Sequence, residues 1–186
     1  MNATLQALRE KGFAGASART IAGFAGVNPG LIFYYFKSLD ELLLEALRES
    51  SADRLERYRA DANAVRAPSE LVALLRRIYA EDVESGHIRV VCEMVAGSVA
   101  RPELGRRVMA ELEPWVTLAA DAVERSLEGS PVRSFVDPRE LALGGVTFYL
   151  GANLVTHLGE GPEALDRLMA SAERAAGLLE LLGVGR

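Results

Sequence analysis

Cysteine, tryptophan, histidine and lysine are all scarce in this chain of 186 residues. The one cysteine, Cys92, cannot form an intrachain disulfide and fits a reducing cytoplasm. Its apolar neighbours predict a buried, inert thiol. The two histidines, His87 and His157, stand far apart without metal-ligand spacing. A Gly-rich phosphate loop, a nucleophile elbow and paired cysteines are all missing. No catalytic group, cofactor or metal is therefore expected, and an enzyme reading has little to rest on. No apolar run approaches the roughly 18 residues of a membrane helix. The stretch after Met1 lacks the basic start and long apolar run of a signal peptide. A cytoplasmic protein without a membrane partner is the expectation. Strand alternation, internal repeats and low-complexity segments are missing too.

What is present is helical and unevenly charged. Apolar residues make up 49% of the chain, enough for a sizeable core. The net charge is −5, which looks wrong for a nucleic-acid binder until it is divided. Residues 1–48 carry Arg9, Lys11, Arg19, Lys37 and Arg48 against Glu10, Asp40, Glu41 and Glu45, a net of +1, which leaves −6 for residues 49–186. The acid sits away from the N-terminal end, compatible with phosphate contact there. The positive field is modest, so non-specific DNA binding should be weak.

Residues 12–47 carry the strongest signal. Two short helical segments flank a Gly26-Val27-Asn28 turn, and an aromatic run leads into a long amphipathic helix. Ala22, Gly26 and Ile32 stand at the spacing of a helix-turn-helix, a DNA-reading unit of about 20 residues. Ala22 must be small where the second helix crosses. Gly26 accepts a positive φ cheaply, and Ile21 and Ile32 fill the small core. Asn28 and Pro29 read as N-cap and first helical residue. Ser38 with Glu41 reads as a capping box, and Ser17 caps a helix beginning at Ala18. The helix over 29–36 is expected in the major groove. Asn28, Gly30, Leu31 and Tyr34 would face base edges, and Ser17, Arg19, Thr20, Tyr35 and Lys37 would face phosphates.

The same stretch closely resembles the DNA-binding domain of the tetracycline-repressor (TetR) family of bacterial transcription regulators. The resembling residues are Gly12-Phe13, Ser17, Ile21-Ala22, Ala25-Gly26-Val27, Gly30, Phe33, Tyr35-Phe36, Ser38 and Glu41-Leu42. They cover the first quarter of the chain. Beyond residue 50 only length and helical layout are similar to the family. Three departures stand out. The family usually has a longer first helix with basic residues near its start, whereas Leu5 and Leu8 are the apolar face here. Leu39 stands where the family often has Lys, which removes a phosphate contact. Leu31 replaces a common small hydroxyl residue, which shifts base preference toward apolar contact, for instance with a thymine methyl.

The remaining chain reads as further helices, about nine in all: 39–63, 70–84, 88–99, one opened by Pro102 and kinked at Pro114, 137–158, and 163–182. Asp137-Pro138-Arg139-Glu140 is a second strong start signal. Gly144, Gly145 and Gly151 in one helix suggest close backbone approach, since each costs about 1 kcal/mol in a helix interior. The last two helices are too apolar for a monomer surface. Paired with a second copy they would form a four-helix bundle about a two-fold axis. The resemblance implies the same use, and also a cavity for a small-molecule inducer. Tyr79, Met94, Met109, Trp115, Phe148 and Tyr149 would line it, with Asp82, Glu93 and Asn153 as polar anchors, suiting a mostly apolar effector.

The expectation is therefore an all-α protein with two parts. Residues 1–48 form a three-helix DNA-binding domain, and residues 49–186 a helical ligand-binding and dimerisation domain. It would act as a homodimeric, ligand-responsive repressor on a palindromic double-stranded DNA operator. The alternative is a small-molecule-binding protein of the same fold whose DNA head is degenerate. DNA binding separates the two.

Overall fold

The structure, a computed structural model, describes residues 1–156, 158, 161–181 and 183, with only the backbone of 161, 162 and 164. His157, residues 159 and 160 of the expected last loop, and residue 182 lie outside the described residues. Among the described residues there are nine α-helices, one short 3-10 turn at Pro131–Ser134, and no strand. The helices are α1 Asn2–Gly15, α2 Ala18–Ala25, α3 Pro29–Tyr35, α4 Leu39–Ala64, α5 Pro68–Ser85, α6 His87–Ser98, α7 Pro102–Ser126, α8 Pro138–Val155 and α9 Gly161–Leu181. α5 starts two residues earlier than the periodicity suggests. Pro68 is harmless in a first turn, and Glu70 accepts the backbone N–H groups of Arg66 and Ala67, which caps the start. α7 continues through Pro114 as one helix.

Two compact units divide the chain: Met1–Leu55 with Val83–Glu113, and Glu56–Asp82 with Pro114–Arg186. The divisions fall inside α4, α5 and α7. In the first unit α1 packs on α2 and α6, and α2 packs on α3. Leu8, Ile21, Ala22, Leu43, Leu47, Ile88 and Met94 are all buried there. α1 is broken at Gly12, which has φ 68°. The break frees the Phe13 N–H, which donates to a Glu93 carboxylate oxygen at 2.8 Å. Glu93, expected as a ligand anchor, is thus committed to holding α1.

His87 also belongs to this unit and is structural. It is buried and shares a 3.1 Å hydrogen bond between its Nδ1 and Ser50 Oγ. Burial, and then the charges of Arg54 and Arg9, hold its pKa down to about 3. An unfolded histidine titrates near 6.5. Between these values the unfolded chain binds a proton that the folded chain refuses. The stability that neutral His87 provides is complete above about pH 6.5 and is lost as pH falls toward about 3. His87→Asn should flatten the fall of unfolding free energy below about pH 6, by up to about 1.4 kcal/mol per pH unit. Urea unfolding at several pH values checks this; identical pH slopes for variant and wild type would contradict it.

In the second unit α9 shows two faces. Leu165, Met169 and Ala176 are buried. On the same side Glu173 accepts from Arg76 at 3.0 Å and Glu180 accepts the Ser69 N–H at 2.8 Å, both from α5. That side belongs to the protomer core. The other side carries Leu168, 55% exposed, with Ala172, Ala175, Leu178 and Leu179, also exposed. The apolar residues Leu165, Leu168, Met169, Ala172, Ala176 and Leu179 of α9 thus fall in two stripes, because 3.6-residue periodicity over a long apolar helix cannot say which side meets which partner. A similar exposed row occupies α8 and its exit, at Leu143, Gly151, Leu154 and Leu158. Space around Gly144, Gly145 and Gly151 is open: a Cβ at any of them meets no described atom within 4 Å. The close approach these glycines suggest does not occur within the described chain.

Candidate nucleic-acid interface

The head is built from local capping chemistry. Ser17 has extended backbone and its Oγ accepts the Thr20 N–H at 3.1 Å, starting α2; the two hydroxyls also bond to each other at 2.8 Å. α2 ends at Gly26, whose φ of 67° lies in the left-handed region. A side chain there would be strained, and the resulting turn reverses the chain into α3. Asn28 Oδ1 accepts the Gly30 N–H at 2.8 Å with Pro29 as first helical residue. Gly30 matters for a second reason: a Cβ on it would stand 3.2 Å from that same Asn28 oxygen.

These caps fix α3 with one side inward and the other outward. Ile32 is buried against the head. Leu31 is 42% exposed, Tyr34 80% and Tyr35 69%, and the Tyr34 and Tyr35 rings meet edge to face at 5.0 Å. A short helix offering exposed aromatic and apolar groups suits contact with base edges and sugars. Of the nine residues expected to touch DNA, Ser17, Arg19, Asn28, Gly30, Leu31, Tyr34, Tyr35 and Lys37 are exposed and Thr20 is half-buried. Ser17 and Asn28 each spend a side-chain oxygen on capping, which fixes the starts of α2 and α3. Phe33, 58% exposed on α3, was not expected from the sequence. Its place in the aromatic run of residues 33–36 was the available signal.

α4 follows directly. Ser38 Oγ accepts the Glu41 N–H at 3.2 Å, half of the expected capping box. The other half does not form, because the Glu41 carboxylate is taken by Arg107 of α7 through two hydrogen bonds of 2.8 Å each. A bidentate charged pair outcompetes one backbone N–H. Arg107 holds the Glu41 carboxyl below its ordinary range, and Lys37 and Arg48 act in the same direction. Next to it Asp40 pairs with Arg101. The Arg101 guanidinium also lies 5.9 Å from the centre of the Phe13 ring.

The residues expected to line an effector cavity are divided between the units. In the first, Met94 is fully buried and Met109 is 45% exposed. In the second, Tyr79 and Tyr149 meet edge to face at 5.7 Å, and Tyr149 donates to the buried Asp82 carboxylate. Asn153 is buried one turn further along α8, and Phe148 is half-buried. Trp115 is half-buried with its ring centre 6.3 Å from that of Tyr58. A groove of about 400 Å³ opens between the end of α4 and α5, lined by Asp61, Val65, Glu70, Leu74 and Arg77 among others, and none of the expected residues lines it. Cys92 is half-buried; burial and then Glu93 push its thiol up to about 11, so it stays protonated at neutral pH. Among the described residues no helix is long and apolar enough to cross a membrane.

Comparison with known proteins bears on this geometry. Residues 1–46 match the family described as bacterial regulatory proteins, tetR family. An HTH-type transcriptional regulator, BetI of Stenotrophomonas maltophilia, is 34% identical over 110 residues, 57% of this chain and 56% of that regulator. This chain thus spans little more than half the length of that relative. The fatty acid metabolism regulator protein of Bacillus subtilis is 19% identical over 75% of this chain and 72% of its own. Among solved structures, the transcriptional regulator FadR from Bacillus subtilis, in complex with stearoyl-CoA, superposes with a TM-score of 0.74 at 16% identity, covering 93% of both chains. The fatty acid degradation regulator FadR from Bacillus halodurans gives 0.76 at 18% identity, again covering 93% of both. These superpositions share the all-helical fold with this chain.

Proposed function

We propose that this chain, whose residues 1–46 match the tetR family of bacterial regulatory proteins, is a homodimeric transcriptional repressor that binds a palindromic operator and is released by a small molecule. Residues 1–48 act as the DNA-binding domain and residues 49–186 as the ligand-binding and dimerisation domain. One observation carries the reading: α3 is capped by Asn28 and presents Leu31, Tyr34 and Tyr35 outward while Ile32 anchors it. A degenerate head would have no reason to keep both the caps and the exposed face. The acidic, cytoplasmic, non-enzymatic character expected from composition accords with this role.

Two substitutions separate reading from anchoring. Lys37→Ala should weaken binding to all DNA sequences alike and lower the slope of log affinity against log salt by about one unit. Tyr34→Ala should instead change which sequences bind. Fluorescence anisotropy over a salt series measures both. A Lys37→Ala protein with altered sequence preference and an unchanged salt slope would overturn the assignment.

Dimerisation is assigned to the outward faces of α8 and α9. Their exposed leucines and open glycines form an apolar surface that water disfavours, and two half-sites need two heads. The effector is assigned to Tyr79, Asp82, Trp115, Phe148 and Asn153 of the second unit; Met94 and Met109 belong to the first. A regulator of the same fold that holds stearoyl-CoA supports a ligand with a long apolar part here. Ligand can release DNA only by binding one arrangement of the heads better than another. α4, which starts beside Lys37 and runs to Ala64, continues directly from the head and is assigned the part of carrying that difference. Trp115 is the only tryptophan. A releasing ligand should change its emission, and Trp115→Ala should weaken ligand while sparing operator affinity. Unchanged ligand affinity in that variant would move the pocket elsewhere.

A further inference from the structure

The head's positive charge is small for a surface meant to meet phosphate. Residues 1–48 are at a net of +1, and two of their four acids, Asp40 and Glu41, lie within four residues of Lys37. They occupy the first turn of α4, where carboxylates favour the helix. Beside a DNA backbone the same carboxylates repel. Within a Debye length of about 10 Å such repulsion is only partly screened.

Both acids are covered, and by residues outside the head. Arg107 grips Glu41 through both guanidinium arms at 2.8 Å, and Arg101 pairs with Asp40. Both arginines come from the α6–α7 corner and the first turns of α7, within the same compact unit as the head. Arg101 is also held over Phe13 of α1. The nearby acid Glu103 has its own partner in Arg106, so Arg101 and Arg107 are left to serve Asp40 and Glu41.

We propose that Arg101 and Arg107 complete the DNA-facing charge of the head by neutralising Asp40 and Glu41, and so set its affinity for DNA without reading sequence. This rests on the DNA-binding reading above. Counting the two arginines, the head rises from +1 to +3. They act as positioning residues through the two acids and do not themselves touch DNA. The functional reading head therefore extends past residue 48 to the start of α7, and a displacement of that corner would change DNA affinity by charge alone.

The test is affinity of the full-length protein for one duplex at about 50 mM salt, where screening is weak, with thermal melting as a folding control. Arg101→Gln with Arg107→Gln should weaken binding about tenfold, equally for specific and scrambled duplexes. Arg101→Lys with Arg107→Lys keeps the charge and should stay within about twofold of wild type. Asp40→Asn with Glu41→Gln should tighten binding severalfold, since it removes two negative charges beside the phosphates. The fourfold variant should return to within about twofold of wild type. If the acid-removing pair weakens binding or leaves it unchanged, the pairs are merely structural and the proposal is wrong. If the fourfold variant stays as weak as the double glutamine, the arginines touch phosphate directly, and the proposal is wrong in that case too. A wild-type protein that binds no duplex at all overturns the DNA-binding reading and this inference with it.

Discussion

Ala172→Arg should convert the protein to a monomer and abolish operator binding. Ala172 lies on the outward side of α9, between exposed Leu168 and Leu179, while the inward side is occupied by Leu165, Met169 and Ala176. In the free protomer an arginine at 172 would point into water and cost little. In a dimer built on this face it would be buried without a partner, a penalty of about 2–5 kcal/mol. Dimer affinity should therefore fall at least about thirtyfold. A single head reads one half-site, so operator affinity should collapse further. Ala176→Arg is the instructive contrast: Ala176 is 4% exposed within its own protomer, so that change should unfold the second unit rather than split a dimer. Sedimentation at micromolar concentration distinguishes them. A wild-type mass of one chain would remove the premise.

Gly97→Ala should destabilise the protein, against its helix propensity. In an exposed helix, Gly to Ala gains about 0.5–1 kcal/mol. At 97 a Cβ would stand 2.1–2.5 Å from three carbons of the Phe13 ring, closer than packed atoms approach. The ring is hemmed in by the Glu93 carboxylate on its own amide and by the Arg101 guanidinium. Overpacking of this kind costs about 1–3 kcal/mol, and displacement of Phe13 shifts the end of α1. A drop of roughly 2–10 °C in melting temperature is expected, with weaker DNA binding. Phe13→Leu in the same chain should recover part of the loss, as coupled neighbours do. Melting at or above the wild-type temperature for Gly97→Ala would show that Phe13 does not occupy this place.

Much of the head is legible in the sequence because its determinants are local. Ser17, Asn28 and Ser38 each act on a backbone N–H two or three residues ahead, and Gly26 acts through its own φ. Such signals need no knowledge of the rest of the fold. The break at Gly12 is different. The Phe13 N–H that it frees is met by a carboxylate eighty residues away at Glu93, which no local pattern reveals. The fate of the Glu41 side chain likewise depends on Arg107, sixty-six residues on. Periodicity marked α9 as apolar but could not divide Leu168 and Ala172 from Leu165 and Met169. The glycines of α8 signalled close approach, and the described chain leaves that approach unfilled. The effector residues are the least legible, since an aromatic or methionine on an inward face looks the same whether it meets a ligand or another side chain.

The most direct test of the account is binding of the purified protein to the DNA immediately upstream of its own coding sequence, measured against a scrambled duplex of equal length across a salt series. The account predicts a dimer on DNA, a preference for the upstream duplex of at least about a hundredfold that persists as salt rises, and an affinity that falls steeply with salt for both duplexes. Equal affinity for the two at every salt concentration would contradict it, and would leave a helical small-molecule binder whose head no longer reads DNA.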